Sequence, residues 1–436
     1  METRNEPRRV PRQAQGQAQA PRRPWRKPPA AASLLLTALI AAGAWQQAAA
    51  ATLGEAVSSA LALAGQGQRL AAERAVGSAL REKAHGLLAD NPALRLKVLS
   101  DRATGNQGTY ELEGMVDLPL LLPGQRSARL DLADSTDAAA DALMQRLRWE
   151  MTGLVREAVW DAALAEGRLR QAEGALASAK ALEAAVGKRK GAGELAQLDL
   201  LLARQETLAS QSDLDAALAA HAEAMAAYRS LTGQQQLPDP LTEPAPSLAP
   251  TAASDSPVPP GHPLLASLEQ AVATARSERS RVSADRRGNP ILSFGAKRAR
   301  ADRYSPDDDA LQMEVILPFG LKRATAPDMA RAERDYTAQL AELQQARQTV
   351  AKDVATARVA VAGASQQLAS ARERTKVTDA ALQLARRAFD LGEGDLAALL
   401  RAEERAREAH LNLALRELEQ DRALSRLNQA LGVIPE

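Results

Sequence analysis

The side chains that most often carry chemistry are sparse in this 436-residue chain. It contains no cysteine, which excludes disulfides, thiolate catalysis, cysteine metal sites and lipid attachment through a thiol. The four histidines, His85, His221, His262 and His410, lie far apart, and no two share a metal-ligating spacing. Surface or interhelical packing accounts for each. Asp307-Asp308-Asp309 could hold a calcium ion, but it falls between two expected strands and reads as a solvated loop. The Gly-x-Gly pairs at 191–193 and 392–394 lack the third glycine and the preceding strand of a nucleotide-binding turn. No nucleophile stands beside a base, and most helical carboxylates are explained by i,i+4 pairing with arginine. The residues therefore assign no catalytic group, no metal and no cofactor, and the expected protein is not an enzyme.

Composition points to long packed helices instead. Apolar residues make up 45% of the chain but aromatics only 3%, and charged residues 25%. Such an alanine- and leucine-rich mixture suits extended helical packing better than an α/β enzyme core. The net charge of +1 excludes a strongly basic nucleic-acid binder. That charge is uneven: residues 1–27 carry a net of +6, which leaves the remainder near −5.

The amino terminus reads as an address. A basic stretch from Arg22 to Lys27 precedes an apolar run from Ala30 to Ala44, and Ala48-Ala49-Ala50 supplies a small-residue cleavage pattern. This is the order of a cleaved secretory signal over residues 1–50. At about 15 residues the apolar run is short for a spanning helix. The remaining chain is expected to be periplasmic, secreted or in the outer membrane.

Internal repetition organises the rest. Asn91-Pro92-Ala93-Leu94 recurs as Asn289-Pro290-Ile291-Leu292, Leu118-Pro119 as Leu317-Pro318, and Gly191-Ala192-Gly193-Glu194-Leu195-Ala196 as Gly392-Glu393-Gly394-Asp395-Leu396-Ala397. The offsets are 198, 199 and 201 residues, in one order. The expected division is a first repeat over 51–236, a proline-rich linker over 237–263 and a second repeat over 264–436. Nine of the 23 prolines fall in that linker, which cannot continue a helix or pair in a sheet.

Each repeat shows a helix, two strands and a long helical hairpin. Leu94, Leu96 and Val98 alternate with Arg95 and Lys97; Tyr110, Leu112, Val116 and Leu118 alternate with Glu111, Glu113 and Asp117. In the second repeat Leu311, Met313, Val315 and Leu317 alternate with Gln312, Glu314 and Ile316, beside a poorer strand carrying Leu292, Phe294 and Ala296. Strands are expected at about 91–103, 108–120, 289–302 and 310–319. Helical hairpins are expected at about 126–233 and 327–432, each opening with some 60 residues free of proline and turning at a glycine pair. An unbroken helix of that length would reach roughly 90 Å.

The strands are about as long as transmembrane β-strands. Four cannot close a barrel, and open edges are not tolerated in lipid. If they span a membrane, chains must pool them; three chains would give twelve strands and twelve long helices. A soluble helical bundle capped by a small sheet satisfies the same pattern, and sequence physics leaves both open.

These residues together carry a resemblance. Leu53-Gly54-Glu55-Ala56-Val57, the paired Asn-Pro strand openings, the Leu-Pro strand endings and the two glycine-containing tips resemble the TolC family of outer membrane efflux proteins. Leu118-Pro119 with Leu122-Pro123-Gly124-Gln125-Arg126, and Leu317-Pro318-Phe319-Gly320, look most like its cobalt-zinc-cadmium branch. The resemblance covers residues 52–436. It implies a mainly α fold with a small β part, assembled as a homotrimer with a 12-stranded β-barrel and a 12-helix α-barrel. It implies a passive exit duct in the outer membrane of a Gram-negative bacterium, with a large periplasmic part. Its partners would be outer membrane lipid, a periplasmic adaptor (membrane fusion) protein and an inner-membrane pump, with heavy-metal cations as the substrate class of that branch. Adaptor contact would fall on Gly191, Gly193, Glu194 and Leu195, and on Gly392, Gly394, Asp395 and Leu396. Where relatives narrow the periplasmic mouth with aspartates, this chain has Ala398 and Arg401, so no gate is assigned. Two rivals remain: a type I protein-secretion duct, and a periplasmic coiled-coil scaffold without a barrel.

Overall fold

The computed structural model describes residues 52–246, 260–320 and 322–435. The expected signal segment and linker residues 247–259 lie outside the described residues.

The first repeat opens with α1 (Leu53–Leu63), fixed by a reciprocal cap: the Glu55 amide donates to Thr52 Oγ1 at 3.2 Å and the Thr52 amide to the Glu55 carboxylate at 2.9 Å. Gly65, at φ +66°, ends that helix and starts α2 (Gln66–His85). The opening helix is thus two helices, a break that no proline marks. There follow β1 (Ala93–Ser100), β2 (Tyr110–Pro119), α3 (Pro123–Gly191) and α4 (Gln197–Thr232). After the connection come α5 (Pro263–Asp285), β3 (Ile291–Arg300), β4 (Asp308–Ile316), α6 (Lys322–Asp390) and α7 (Leu396–Ala430). Asp308 and Asp309 therefore belong to β4 rather than to a solvated loop, and Arg298 grips Asp309 at 2.6 and 2.7 Å.

Both α3 and α6 run for 69 residues, about 100 Å. Neither is amphipathic along one stripe, because each meets different neighbours along its length. Thus α3 packs in turn on α1, α2, α4, α5 and α7, while α6 packs on α5 and α7. Two glycines of α3 have a packing reason. A Cβ on Gly153 would stand 2.9 Å from Gln429 Nε2, and one on Gly167 would stand 2.9 Å from Leu418 Cδ1, so their absence lets α7 close on α3.

The four strands form one antiparallel sheet in the order β1-β2-β3-β4. The middle pairing, β2 to β3, joins the repeats over ten residues from Tyr110–Arg300 to Pro119–Ile291. Just below the sheet Gln125 braces the same seam. Its carbonyl accepts from Asn289 Nδ2 at 2.7 Å and its amide donates to the Gly288 carbonyl at 3.3 Å.

Candidate functional site

Three places in the chain could serve a function: the hairpin tips, the two faces of the sheet, and a buried polar joint between the repeats.

At the first tip α3 ends in a left-handed residue, Gly193 at φ +84°. The Glu194 amide reaches back to the Arg189 carbonyl at 2.9 Å and the Gly193 amide to the Lys190 carbonyl at 3.0 Å, a Schellman closure. The second tip repeats it at Gly392, φ +78°, with Glu393 bonding the Ala388 carbonyl at 2.9 Å. Gly191 is the last residue of α3, with open space where a Cβ would go, so backbone geometry does not demand glycine there. Gly394 is constrained by contact: a Cβ would lie 3.2 Å from both Ala388 Cβ and Phe389 N. The returning helices are capped by carboxylates. Asp395 accepts from the Ala398 amide at 2.6 Å, as an acid beside the glycine would; at the first tip the acid is Asp199, accepting from Ala196 at 2.9 Å. Glu194 instead pairs with Arg189 at 3.1 Å.

The two tips also touch one another. The Arg189 guanidinium lies 4.4 Å from the centre of the Phe389 ring. Beneath it Val186, Ala203, Phe389 and Leu399 form a small core, flanked by Leu195, Leu200 and Leu400. Sequence reasoning missed Arg189 and Phe389. The available signal was that Phe389 is one of only three phenylalanines and stands at the turn of a polar hairpin. Leu396 opens α7. On its first turns Ala398 and Arg401 are exposed, while Glu403 accepts from Arg386 at 2.7 Å.

The sheet separates its residues by face. The register stacks Leu94, Val116, Phe294 and Met313 across one face, and Leu96, Gly114, Ala296 and Leu311 beside them. This apolar face is open: Leu96 is 68% exposed and Leu311 92%. The opposite face is charged, and on its middle strands it is closely covered, with Met115 at 1% and Ser293 at 0% exposure. No helix packs against either face among the described residues. The charged face is tied together by its own side chains. There Arg95 donates to Asp117 at 3.1 and 2.8 Å and to Glu314 at 3.3 Å, and the Ser293 hydroxyl donates to Asp117 at 2.6 Å. Lys97 and Lys297 hold Glu111 at 2.8 and 3.0 Å.

The joint between repeats is built on Arg156 of α3, which is buried. Its guanidinium donates twice to Glu243, at 2.9 and 2.5 Å, and once to Gln429 Oε1 at 2.6 Å. Glu243 belongs to the start of the proline-rich connection and also accepts from Ser425 and Asn428 of α7. The far end of the connection is held by His262, only 2% exposed, whose ring stands edge-on to Trp149 with centroids 5.0 Å apart. Burial holds the His262 pKa below its ordinary value. Glu157 accepts from Arg426 and Arg422, and those bonds lower its pKa. The connection is therefore clamped at both ends rather than free, a fact its proline content does not reveal.

Among the described residues no group of three His, Asp or Glu could hold a metal ion, and no helix is long and apolar enough to cross a membrane. The second statement says nothing about a β-barrel.

Residues 261–433 match the family model described as outer membrane efflux protein. The matched stretch runs from the start of α5 to just beyond α7. The chain is also 28% identical over 217 residues to the cobalt-zinc-cadmium resistance protein CzcC of Cupriavidus metallidurans. That match covers 48% of this chain and 50% of the relative, so the chain spans about half the length of the curated relative it matches. Among solved structures, the outer membrane protein VceC from Vibrio cholerae superposes with a TM-score of 0.67 at 15% identity, covering 89% of this chain and 98% of that one. The outer-membrane channel OprN gives 0.64 at 20% identity, covering 87% and 89%. CusC gives 0.63 at 19% identity, covering 87% and 92%. These likenesses show the fold, mainly helical with a small antiparallel sheet. Together with the family match they support the TolC-family resemblance read from the residues, its heavy-metal branch included.

Proposed function

We propose that this chain is an outer membrane efflux protein, the outer-membrane channel subunit of a tripartite export system. Three copies pool their strands into a 12-stranded barrel and their helices into a periplasmic α-barrel. The chain divides into two repeats at the clamped connection, and a periplasmic adaptor meets the tips at Gly191, Gly193, Glu194 and Leu195 and at Gly392, Gly394, Asp395 and Leu396. An inner-membrane pump supplies the energy, and the duct performs no chemistry of its own. The likeness to a cobalt-zinc-cadmium resistance protein favours heavy-metal cations as cargo.

One observation carries this reading: the sheet leaves one face apolar and open while the other carries a bonded network of charges. A soluble scaffold would turn that apolar face onto its helices. A lipid-facing wall has the arrangement seen, with β1 and β4 left as edges for neighbouring copies.

The test is the mass and detergent dependence of the purified mature protein, measured by light scattering after extraction from outer membranes. The expected species is a trimer that needs detergent. A monomer or dimer that stays soluble in plain buffer would overturn the proposal and favour the scaffold.

A further inference from the structure

The open apolar face of the sheet changes character along its length. Past the two apolar rows, the register places Val98, Leu112, Arg298 and Asp309 side by side, and then Ser100, Tyr110 and Arg300. Arginine thus enters this face only at the loop end, remote from the helices. The small residues Gly114 and Ala296 leave a trough of about 540 Å³ between Leu96 and Leu311. At Leu112 it meets a second hollow of about 770 Å³. Val98 and Tyr110 give that hollow apolar surface, and Arg102, Arg300 and Arg303 stand around it.

Carboxylates do not consume these three arginines. Arg102 is exposed and has no ion-pair partner among the described residues. Arg303 donates to the Asn106 carbonyl. Arg300 lies 4.9 Å from the Tyr110 ring centre and only 3.9 Å from Asp307. The neighbouring acids turn to their own loops. Asp101 accepts from the Gln107 and Gly108 amides at 2.6 and 3.1 Å, and Asp302 from the Tyr304 and Ser305 amides at 2.8 and 2.9 Å.

We infer that the hollow and trough seat a phosphorylated lipid of the outer leaflet, its phosphate on Arg102 and Arg303 and one acyl chain across Leu112 and Gly114. The inference rests on the lipid-facing wall proposed above. Guanidinium presents several N–H donors in one plane to phosphate and is weakly hydrated, which suits a site half in water and half in hydrocarbon. Basic pockets at headgroup level select anionic lipids on this ground. The trough adds burial of the chain's methylenes, a gain that a free phosphate cannot have.

The experiment is native mass spectrometry of the purified mature protein, stripped of lipid in detergent and then given diphosphoryl lipid A. The expected spectrum shows trimers carrying up to one lipid A per copy, with far fewer adducts of the same lipid after its phosphates are removed. Inorganic phosphate in excess should not displace it. Arg102→Gln with Arg303→Gln should lower the occupancy several-fold. Gly114→Leu fills the trough, keeps every arginine and should lower it as well, so the inference stays testable if the loop variant fails to assemble. Equal binding of the two lipids, displacement by inorganic phosphate, or wild-type occupancy in either variant would overturn it while the trimer stands. A monomer that is soluble without detergent would overturn the barrel reading and this inference with it.

Discussion

Trp149 and Gln429 hold each other by a reciprocal pair of bonds. The indole donates to the Gln429 carbonyl at 2.8 Å, and the Gln429 amide donates to the Trp149 carbonyl at 3.0 Å. The second bond enters the side of an intact helix. It can do so because residue 153, one turn on, is glycine and leaves the carbonyl at 149 open to another donor.

Gly153→Ala should accordingly be destabilising although alanine is the better helix former. The general propensity gain is about 1 kcal/mol, but the added methyl meets Gln429, and overpacking of this kind costs about 1–3 kcal/mol. Denaturant unfolding of the detergent-solubilised protein decides it; a variant more stable than the wild type would mean that the contact yields freely.

The Arg156–Glu243 pair predicts strong coupling. Removing one partner leaves a buried charge alone, at a cost of about 3–5 kcal/mol. Arg156→Met with Glu243→Leu should cost much less than the sum of the two single changes. Limited proteolysis supplies a second readout, with cleavage in residues 237–246 expected to rise in each single variant. Additive losses in the double variant would show that the two side chains stabilise the joint independently.

Acid should loosen the same joint through His262. Burial lowers its pKa below the ordinary 6.5, so the folded chain resists a proton that the unfolded chain accepts. Stability from this group is therefore level above about pH 6.5 and falls as pH drops below it. His262→Phe keeps an aromatic edge against Trp149 and should flatten the melting-temperature profile between pH 7 and about pH 5. The Glu157 carboxylate acts lower. Its depressed pKa gives stability that is present above its ordinary 4.5 and lost only as pH falls through the folded value. A wild-type profile that stays flat down to pH 5 would remove the role given to His262.

At the tips the glycines should separate by backbone geometry. Gly193→Ala and Gly392→Ala force a left-handed residue onto alanine and should each cost about 1 kcal/mol. Gly191→Ala, in helical geometry with open space around it, should be neutral or mildly stabilising. Arg189→Ala should free the first hairpin from the second, which spin labels on the two tips would report as a broader distance distribution. Equal effects at all three glycines would show that φ does not set the requirement.

Much of this architecture could be read from the residues because it rests on short-range rules. Alternating Leu94, Leu96 and Val98 against Arg95 and Lys97 mark a two-faced strand whatever lies around it. A glycine after a long proline-free run marks where a helix can reverse. The break at Gly65 was missed because α1 and α2 differ only by one left-handed residue with no proline beside it. The clamp on the connection was missed for another reason: Arg156, Glu243 and Gln429 are each ordinary charged or polar residues, brought together from positions up to 273 residues apart. Arg189 and Phe389 are likewise remote in sequence, and no local pattern announces such a pair.

The sheet order β1-β2-β3-β4 has a genetic consequence for the proposed trimer. Because β2 and β3 are satisfied within the chain, only β1 and β4 must find partners, and each copy depends on both neighbours. In lipid an unmatched edge costs several kcal/mol per exposed backbone group, so a ring with one faulty edge has no stable partly closed form. A lesion confined to β1 should then be dominant. Where such a chain is made in equal amount with the intact one, only about one ring in eight would be free of it, and export would fall far below half.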